Sequence, residues 1–352
     1  MKSIHLPGLN GIRSIAALIV LFGHIDQMLP GFGISTFNIP FAPRYGVTLF
    51  FVLSGFLITF LLLKEKESYS KIQITKFYIR RILRIWPLYF LAILVSVIML
   101  ACLKTSFPIR ALNYILYVFF LPNVAFAMKL TVKPIEPLWS VGVEEQFYLI
   151  WPLLMHFSKK PQYSIFATVF VYLTAKAGLF ILGHGYWLIT LTRIDCMAIG
   201  GLAAWLVINK LESISGFIFS KGIQLLSWAA VLSILIYPIY YPDFLIHECY
   251  SVAFAFVLIN ISFNTNSIIR LQNRFWDYIG KLSYGIYIIH MPVIFLGQQL
   301  LNNKLRNSVQ SGISIFLSCS ILTLVLSDLS YRFFEKKFLI LKEKYSPIIS
   351  RV

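Results

Sequence analysis

Eleven apolar stretches, each close to the length that crosses a bilayer, follow one another along this chain. They run at about 12–28, 44–63, 86–104, 111–128, 139–157, 163–182, 190–208, 221–238, 244–263, 279–300 and 311–330. A helix needs roughly 20 mostly apolar residues to cross the hydrocarbon. Charged residues make up 13% of the 352, against about 25% in a soluble domain, and the mean hydropathy is +0.77. No polar segment is long enough for a soluble domain. The fold expected is therefore all-α: a polytopic transmembrane helix bundle forming one integral-membrane domain over 1–352. The N-terminal MKSIHLPGLNGIR leads into the first span with no small-residue cleavage site, so that span is expected to be retained.

Eleven crossings would put the chain ends on opposite sides, and the charges oppose this. Lys64, Lys66, Lys71, Lys76, Arg80, Arg81 and Arg84 follow the second stretch; Arg332, Lys336, Lys337, Lys342, Lys344 and Arg351 follow the last. The positive-inside rule places both groups in the cytoplasm, which requires both termini there and an even number of crossings. The stretch least fit to cross is 111–128, with Asn113 near its start and Leu121-Pro122-Asn123 in its middle. Irregular backbone at membrane depth is tolerated only where protein or a cavity surrounds it. About ten spans plus one re-entrant or broken segment are expected. Lys159–Lys160, Lys210 with Lys221, and Arg270 with Arg274 then also fall inside. The formal charge of +17 is accounted for in this way, and no nucleic-acid partner is expected. Cys102, Cys196, Cys249 and Cys319 show neither metal spacing nor a disulfide framework, so no metal site is expected.

Ionisable groups within spans carry the functional signal. Arg13 and His24 are eleven residues apart, about three turns and roughly 16 Å of helix. They share one face, with Asp26 just beyond. Taken singly, Arg13 reads as a snorkelling cation and His24 as a packing histidine; together they suggest a pathway. Glu144 and Glu145 enter the fifth span after Trp139 and Ser140. Each is open to two readings, a helix-start acid at the interface or a group that orients His24 or meets a substrate hydroxyl. Arg81 and Arg84, next to Arg80, share a helical face, and guanidinium forks suit phosphates; positive-inside anchoring explains their charge equally well. Arg193 with Asp195, and Asp328 with Arg332 and Glu335, read as ion pairs locking helices. His290 and Asn123 stay open between structural and functional roles.

The motifs resemble the membrane acyltransferase-3 family of bacterial surface-glycan O-acyltransferases. The matching stretches are Gly8–Arg13 through His24, Gly46–Ile58, Phe77–Tyr89 and Trp139–Pro152, with weaker echoes at Arg193–Gly200, Ser283–Pro292 and Tyr331–Glu335. The family's arginine–x10–histidine, arginine–x–x–arginine and tryptophan–serine–glutamate patterns fall on Arg13 and His24, on Arg81 and Arg84, and on Trp139, Ser140, Glu144 and Glu145. Asn10 stands where many members carry aspartate, Ser14 where many carry glycine, and Thr48 where an acid is common. The resemblance implies acyl transfer without an additional soluble transferase domain. The donor is acyl-CoA, with acetyl-CoA expected, and no permanently bound cofactor. Arg13, Arg80, Arg81 and Arg84 would bind it, and His24, Glu144, Glu145 and Asp26 would supply the chemistry. Trp139, Ser140, Asn123, Arg193, Asp195 and His290 would serve the acceptor site or the scaffold. The acceptor would be a glycan or lipid-linked saccharide beyond the lipid bilayer of the bacterial inner membrane. A glycan or lipid transporter is the alternative, since buried charges and a broken helix also suit one.

Overall fold

The computed structural model describes residues 2–39, 42–103, 111–183, 187–236, 245–301, 305–346 and 348–351. The bundle runs α1 Leu9–Met28, α2 Pro43–Tyr69, α3 Ile74–Cys102, α4 Ala111–Val118, α5 Pro122–Ala127, α6 Leu138–Phe157, α7 Pro161–Ile181, α8 Trp187–Thr192, α9 Ile194–Ile218, α10 Lys221–Ile236, α11 Ile246–Phe263, α12 Arg274–Leu301, α13 Val309–Ser330 and α14 Lys336–Glu343. Among the described residues, eight helices are long and apolar enough to span a membrane: α1, α2, α3, α7, α9, α11, α12, and α13 continued through α14. The other two expected spans are α6, whose hydropathy is lowered by Glu144, Glu145 and Gln146, and the 16-residue α10.

The expected break lies in the fourth stretch. Phe120 adopts a left-handed φ of 57°, and Pro122 opens α5 at its first turn, where its missing N–H removes no helical bond. Helices of eight and six residues are each far too short to cross. Two of their side-chain amides are paired inward, as a lipid setting favours. Asn113 Nδ2 donates to Leu130 O at 2.9 Å, and the Asn123 and Gln146 amides bond reciprocally at 3.2 and 2.9 Å. Gly142 makes this approach feasible, because a Cβ there would come within 2.7 Å of Pro122 Cδ.

One feature departs from an all-helical chain. Lys2–His5 (β1) and Ile348–Arg351 (β2) form a short parallel pair, so both ends of the chain meet on one face of the bundle. Four-residue strands are too brief to leave a readable alternation in the sequence.

Helix α2 is the centre of the bundle, with 83% of its most apolar window buried, against 11% for α7 and 28% for α13. The outer helices turn side chains such as Phe170, Val171, Leu317 and Ile321 outward, where lipid suits them. Contact between α2 and α9 is backbone to backbone. A Cβ on Gly200 would lie 2.0 Å from Val52 O, and one on Gly55 1.9 Å from Met197 O. Small residues permit this approach where no hydrophobic effect drives helices together.

Candidate active site

Three adjoining cavities run through the bundle beside α1 and α2. The first, about 290 Å³, opens near the chain ends and is lined by Arg13, Arg80, Arg81, Arg84, Lys281 and Lys342 among others. The second, about 90 Å³, shares Arg13, Leu57, Arg81, Arg84 and Tyr284 with the first and adds Ser54, Ser140, Glu144, Tyr148 and Tyr287. The third, about 420 Å³, shares Val47 and Tyr287 with the second and holds His24, Arg44, Glu136, Trp139 and Arg193. Arg13 and His24 thus line the two wide ends, as their shared helical face requires.

At the basic mouth the four expected arginines divide. Arg80 is committed to the scaffold: it pairs with Glu65 at 3.3 Å and donates to Tyr345 O at 3.0 Å, while Glu65 also accepts from Gln73 N. Arg13, Arg81 and Arg84 make no salt bridge among the described residues. The Arg81 guanidinium lies over the Phe77 and Tyr148 rings, 5.5 and 5.4 Å from their centroids, and its buried Nε has no hydrogen-bond partner. Glu65, Glu335 and Glu343 also line this cavity, yet none forms a salt bridge with these three guanidiniums, which leaves their forks suited to phosphate oxygens. Lys281 and Lys342, on α12 and α14, join them. Sequence reasoning missed both lysines, because nothing in the chain marks α14 as packing against α3 or the start of α12 as facing this mouth.

At the far end His24 Nδ1 lies 2.9 Å from His290 Nε2, and His290 Nδ1 lies 3.1 Å from Ile286 O. A carbonyl only accepts, so His290 carries its proton on Nδ1 and, as a neutral ring, presents a bare Nε2. That nitrogen accepts from His24 Nδ1–H, which leaves the bare Nε2 of a neutral His24 as the free base. His290 is fully buried and His24 partly open to the outer cavity.

The carboxylates expected to orient His24 have other partners. Glu144 accepts from Ser54 Oγ at 2.8 Å and from Tyr148 OH at 3.0 Å. Glu145 accepts from Trp86 Nε1 at 3.0 Å. Asp26 receives the backbone N–H groups of Phe37 and Ile39 at 2.7 and 3.0 Å, so it folds the loop after α1 over the outer cavity. In that cavity Glu136, outside the spans, accepts from Thr131 Oγ1, and burial raises its carboxyl above the usual range.

The remaining residues are also placed. Ser140 Oγ and Tyr287 OH are 2.7 Å apart and share Pro137 O, pinning the start of α6 to α12. Trp139 lies under the Arg193 guanidinium, 5.6 Å from ring centroid to Cζ. Arg193 does not pair with Asp195. It donates to Arg44 O and Thr48 Oγ1, while Asp195 binds the buried Lys176 ammonium at 2.7 Å, which Glu248 also contacts. Asp195, Cys196 and Glu248 bring their ligand atoms within 4.8 Å of one another, but Lys176 already supplies a cation between the two carboxylates. The other expected lock is present: Arg332 Nε donates to Asp328 at 2.8 Å, and Tyr278 OH joins that carboxylate at 2.5 Å. Glu335 instead accepts from Ser330 Oγ.

Fold and site together define a polytopic membrane protein with a row of adjoining cavities, arginine-lined at one end and holding His24 of a hydrogen-bonded histidine pair at the other. The chain belongs to the acyltransferase-3 family, whose model, described as an acyltransferase domain, matches residues 6–332. It is 29% identical over 358 residues to O-acetyltransferase OatA of Staphylococcus aureus in strains NCTC 8325 / PS 47, COL and MRSA252. The alignment covers 94% of this chain and 57% of that protein, so the chain spans little more than half the length of these curated relatives. No solved structure matches.

Proposed function

We propose that this protein is a multi-pass O-acyltransferase of the bacterial inner membrane, with both termini cytoplasmic. It moves an acyl group from cytoplasmic acyl-CoA, most simply acetyl-CoA, to a hydroxyl of a surface glycan or lipid-linked saccharide on the outer side. The observation that carries this reading is the row of three adjoining cavities, each sharing lining residues with the next. Arg13, Arg81 and Arg84 offer forks to the phosphates of the donor. The narrow middle cavity suits a thin chain such as the pantetheine arm. The roughly 16 Å of α1 between Arg13 and His24 is a span that an extended arm covers. The outer cavity has room for a sugar beside the free Nε2 of His24. The names of the O-acetyltransferase relatives support acetyl transfer.

In the reaction, His24 Nε2 takes the proton of the acceptor hydroxyl as its oxygen attacks the thioester carbonyl. The carbon–sulfur bond breaks and the CoA thiolate leaves, to be protonated by the imidazolium or by water. A transient acyl-histidine uses the same nitrogen. His290 holds that nitrogen's tautomer throughout.

The test is His24→Ala in reconstituted vesicles, following release of CoA thiol together with acylation of the acceptor. Loss of both is expected; full activity would sink the scheme. Mass analysis of surface glycans from cells with and without the gene identifies the acceptor.

A further inference from the structure

The middle cavity holds a polar station that the acyl-transfer step does not use. Glu144 lies six residues into α6, about 9 Å along the helix axis. It lines the narrow cavity but is not among the residues of the cavity that holds His24. Each carboxylate oxygen receives one hydroxyl, Oε1 that of Ser54 and Oε2 that of Tyr148. A carboxylate oxygen has about two lone-pair sites, so each keeps one acceptor site after these bonds. Ser54 comes from α2, and Tyr148 lies one turn on along α6, beneath the Arg81 guanidinium. The carboxylate is therefore held in place from two helices. Most of the remaining wall is apolar: Phe50, Phe51, Leu53 and Ile58.

A chain threaded through such a wall must not carry unpaired polar groups. A buried amide without a partner forfeits the hydrogen bonds it makes to water. The pantetheine arm of acyl-CoA contains secondary amides, each with one N–H donor and one carbonyl acceptor. We infer that Glu144, fixed by Ser54 and Tyr148, accepts the N–H groups of the pantetheine amides and is a donor-arm recognition residue, not a partner of the histidine pair. Arg13, which lines both the mouth and the narrow cavity, donates to the facing amide carbonyl. The station selects for an amide-containing arm where an alkyl chain of equal width would leave Glu144 unpaired. This inference rests on the reading of acyl-CoA as donor.

The experiment compares two ligands on the full-length protein in lipid nanodiscs by titration calorimetry: acetyl-CoA, and adenosine 3′,5′-bisphosphate, which has phosphates but no arm. E144Q is expected to weaken acetyl-CoA by about tenfold and to leave the bisphosphate affinity unchanged, which also reports an intact mouth. The gentler S54A, which only loosens the carboxylate, is expected to weaken acetyl-CoA by about threefold with the same selectivity. Wild-type acetyl-CoA affinity in both variants overturns the inference. So does an E144Q protein that binds acetyl-CoA normally yet loses turnover, because that assigns Glu144 to the chemistry. Failure of the underlying donor reading looks different: the unmodified protein would bind neither ligand.

Discussion

Replacing His290 with phenylalanine keeps an aromatic ring at a fully buried position, adds one ring atom and removes both nitrogens. In the native site the 2.9 Å bond from His24 Nδ1–H to His290 Nε2 fixes where His24 carries its proton. Without it that N–H loses its partner, and the His24 ring is free to turn or to place the proton on Nε2, the atom needed as base. A lost buried hydrogen bond is worth about 1–2 kcal/mol, which converts to roughly 5- to 30-fold in rate. His290→Phe is therefore expected to lower kcat by about that factor. KM for acetyl-CoA should stay near its original value, because His290 does not line the basic mouth. His290→Gln retains an amide oxygen able to accept from His24 and is expected to recover part of the loss. The assay is CoA-thiol release in proteoliposomes at several donor concentrations. Wild-type kcat in His290→Phe would refute the tautomer argument. A loss as complete as that of His24→Ala, with no rescue by glutamine, would refute the positioning role and make His290 an equal participant.

Other outcomes follow from the same geometry. Neutralising Arg81 and Arg84 together with glutamine should raise the acetyl-CoA dissociation constant by about 10- to 100-fold, as expected for lost charge-assisted bonds; unchanged calorimetric affinity would remove them from the donor site. Arg80→Gln should act on stability, because it strands the buried Glu65; thermal unfolding should show a lower Tm with little change in donor affinity for the folded fraction. Lys176→Met leaves Asp195 and Glu248 without their cation and is expected to destabilise by about 3–5 kcal/mol. The triple change with Asp195→Asn and Glu248→Gln should restore most of the Tm, and a single variant as stable as the wild type would refute the ion cluster. Gly200→Val should abolish stable expression, because α2 and α9 could no longer touch through their backbones.

Relations fixed within one helix were legible in the sequence. Arg13 and His24 share a face because three turns of helix bring them there. Asp328 and Arg332, four apart, pair as helical spacing allows. The break at Pro122 and Asn123 follows from a missing backbone donor and a polar side chain at depth. The demand for an even number of crossings came from charge alone, and both chain ends meet on one face. By contrast, Arg193 stands outside α9 as its left-handed N-cap and reaches Arg44 and Thr48 on α2, not Asp195. Asp195 found Lys176 on α7 instead, a pairing that no spacing encodes. Asn10, Ser14 and Thr48, which depart from the common family pattern, are all hydrogen-bonded. Ser14 Oγ reaches Trp276 O at 2.6 Å, Asn10 faces Asp277, and Thr48 bonds His247.

What the sequence by itself determined was therefore the class of the molecule, the location of its long apolar helices, the broken segment, and the line from Arg13 to His24 along α1. Only the tertiary structure decided what each charged group touches. The partner of His24 is His290, 266 residues away. Glu144 is held by Ser54 from α2, and Arg80 belongs to Glu65 and the C-terminal tail. The physical reason is the difference between local and packed geometry. Backbone hydrogen bonding sets the angle between residues on one helix, whatever surrounds it. The rotation and register of one apolar helix against another are set by side-chain and backbone fit along their whole length, as at Gly55 and Gly200, and that fit exists only in the assembled bundle.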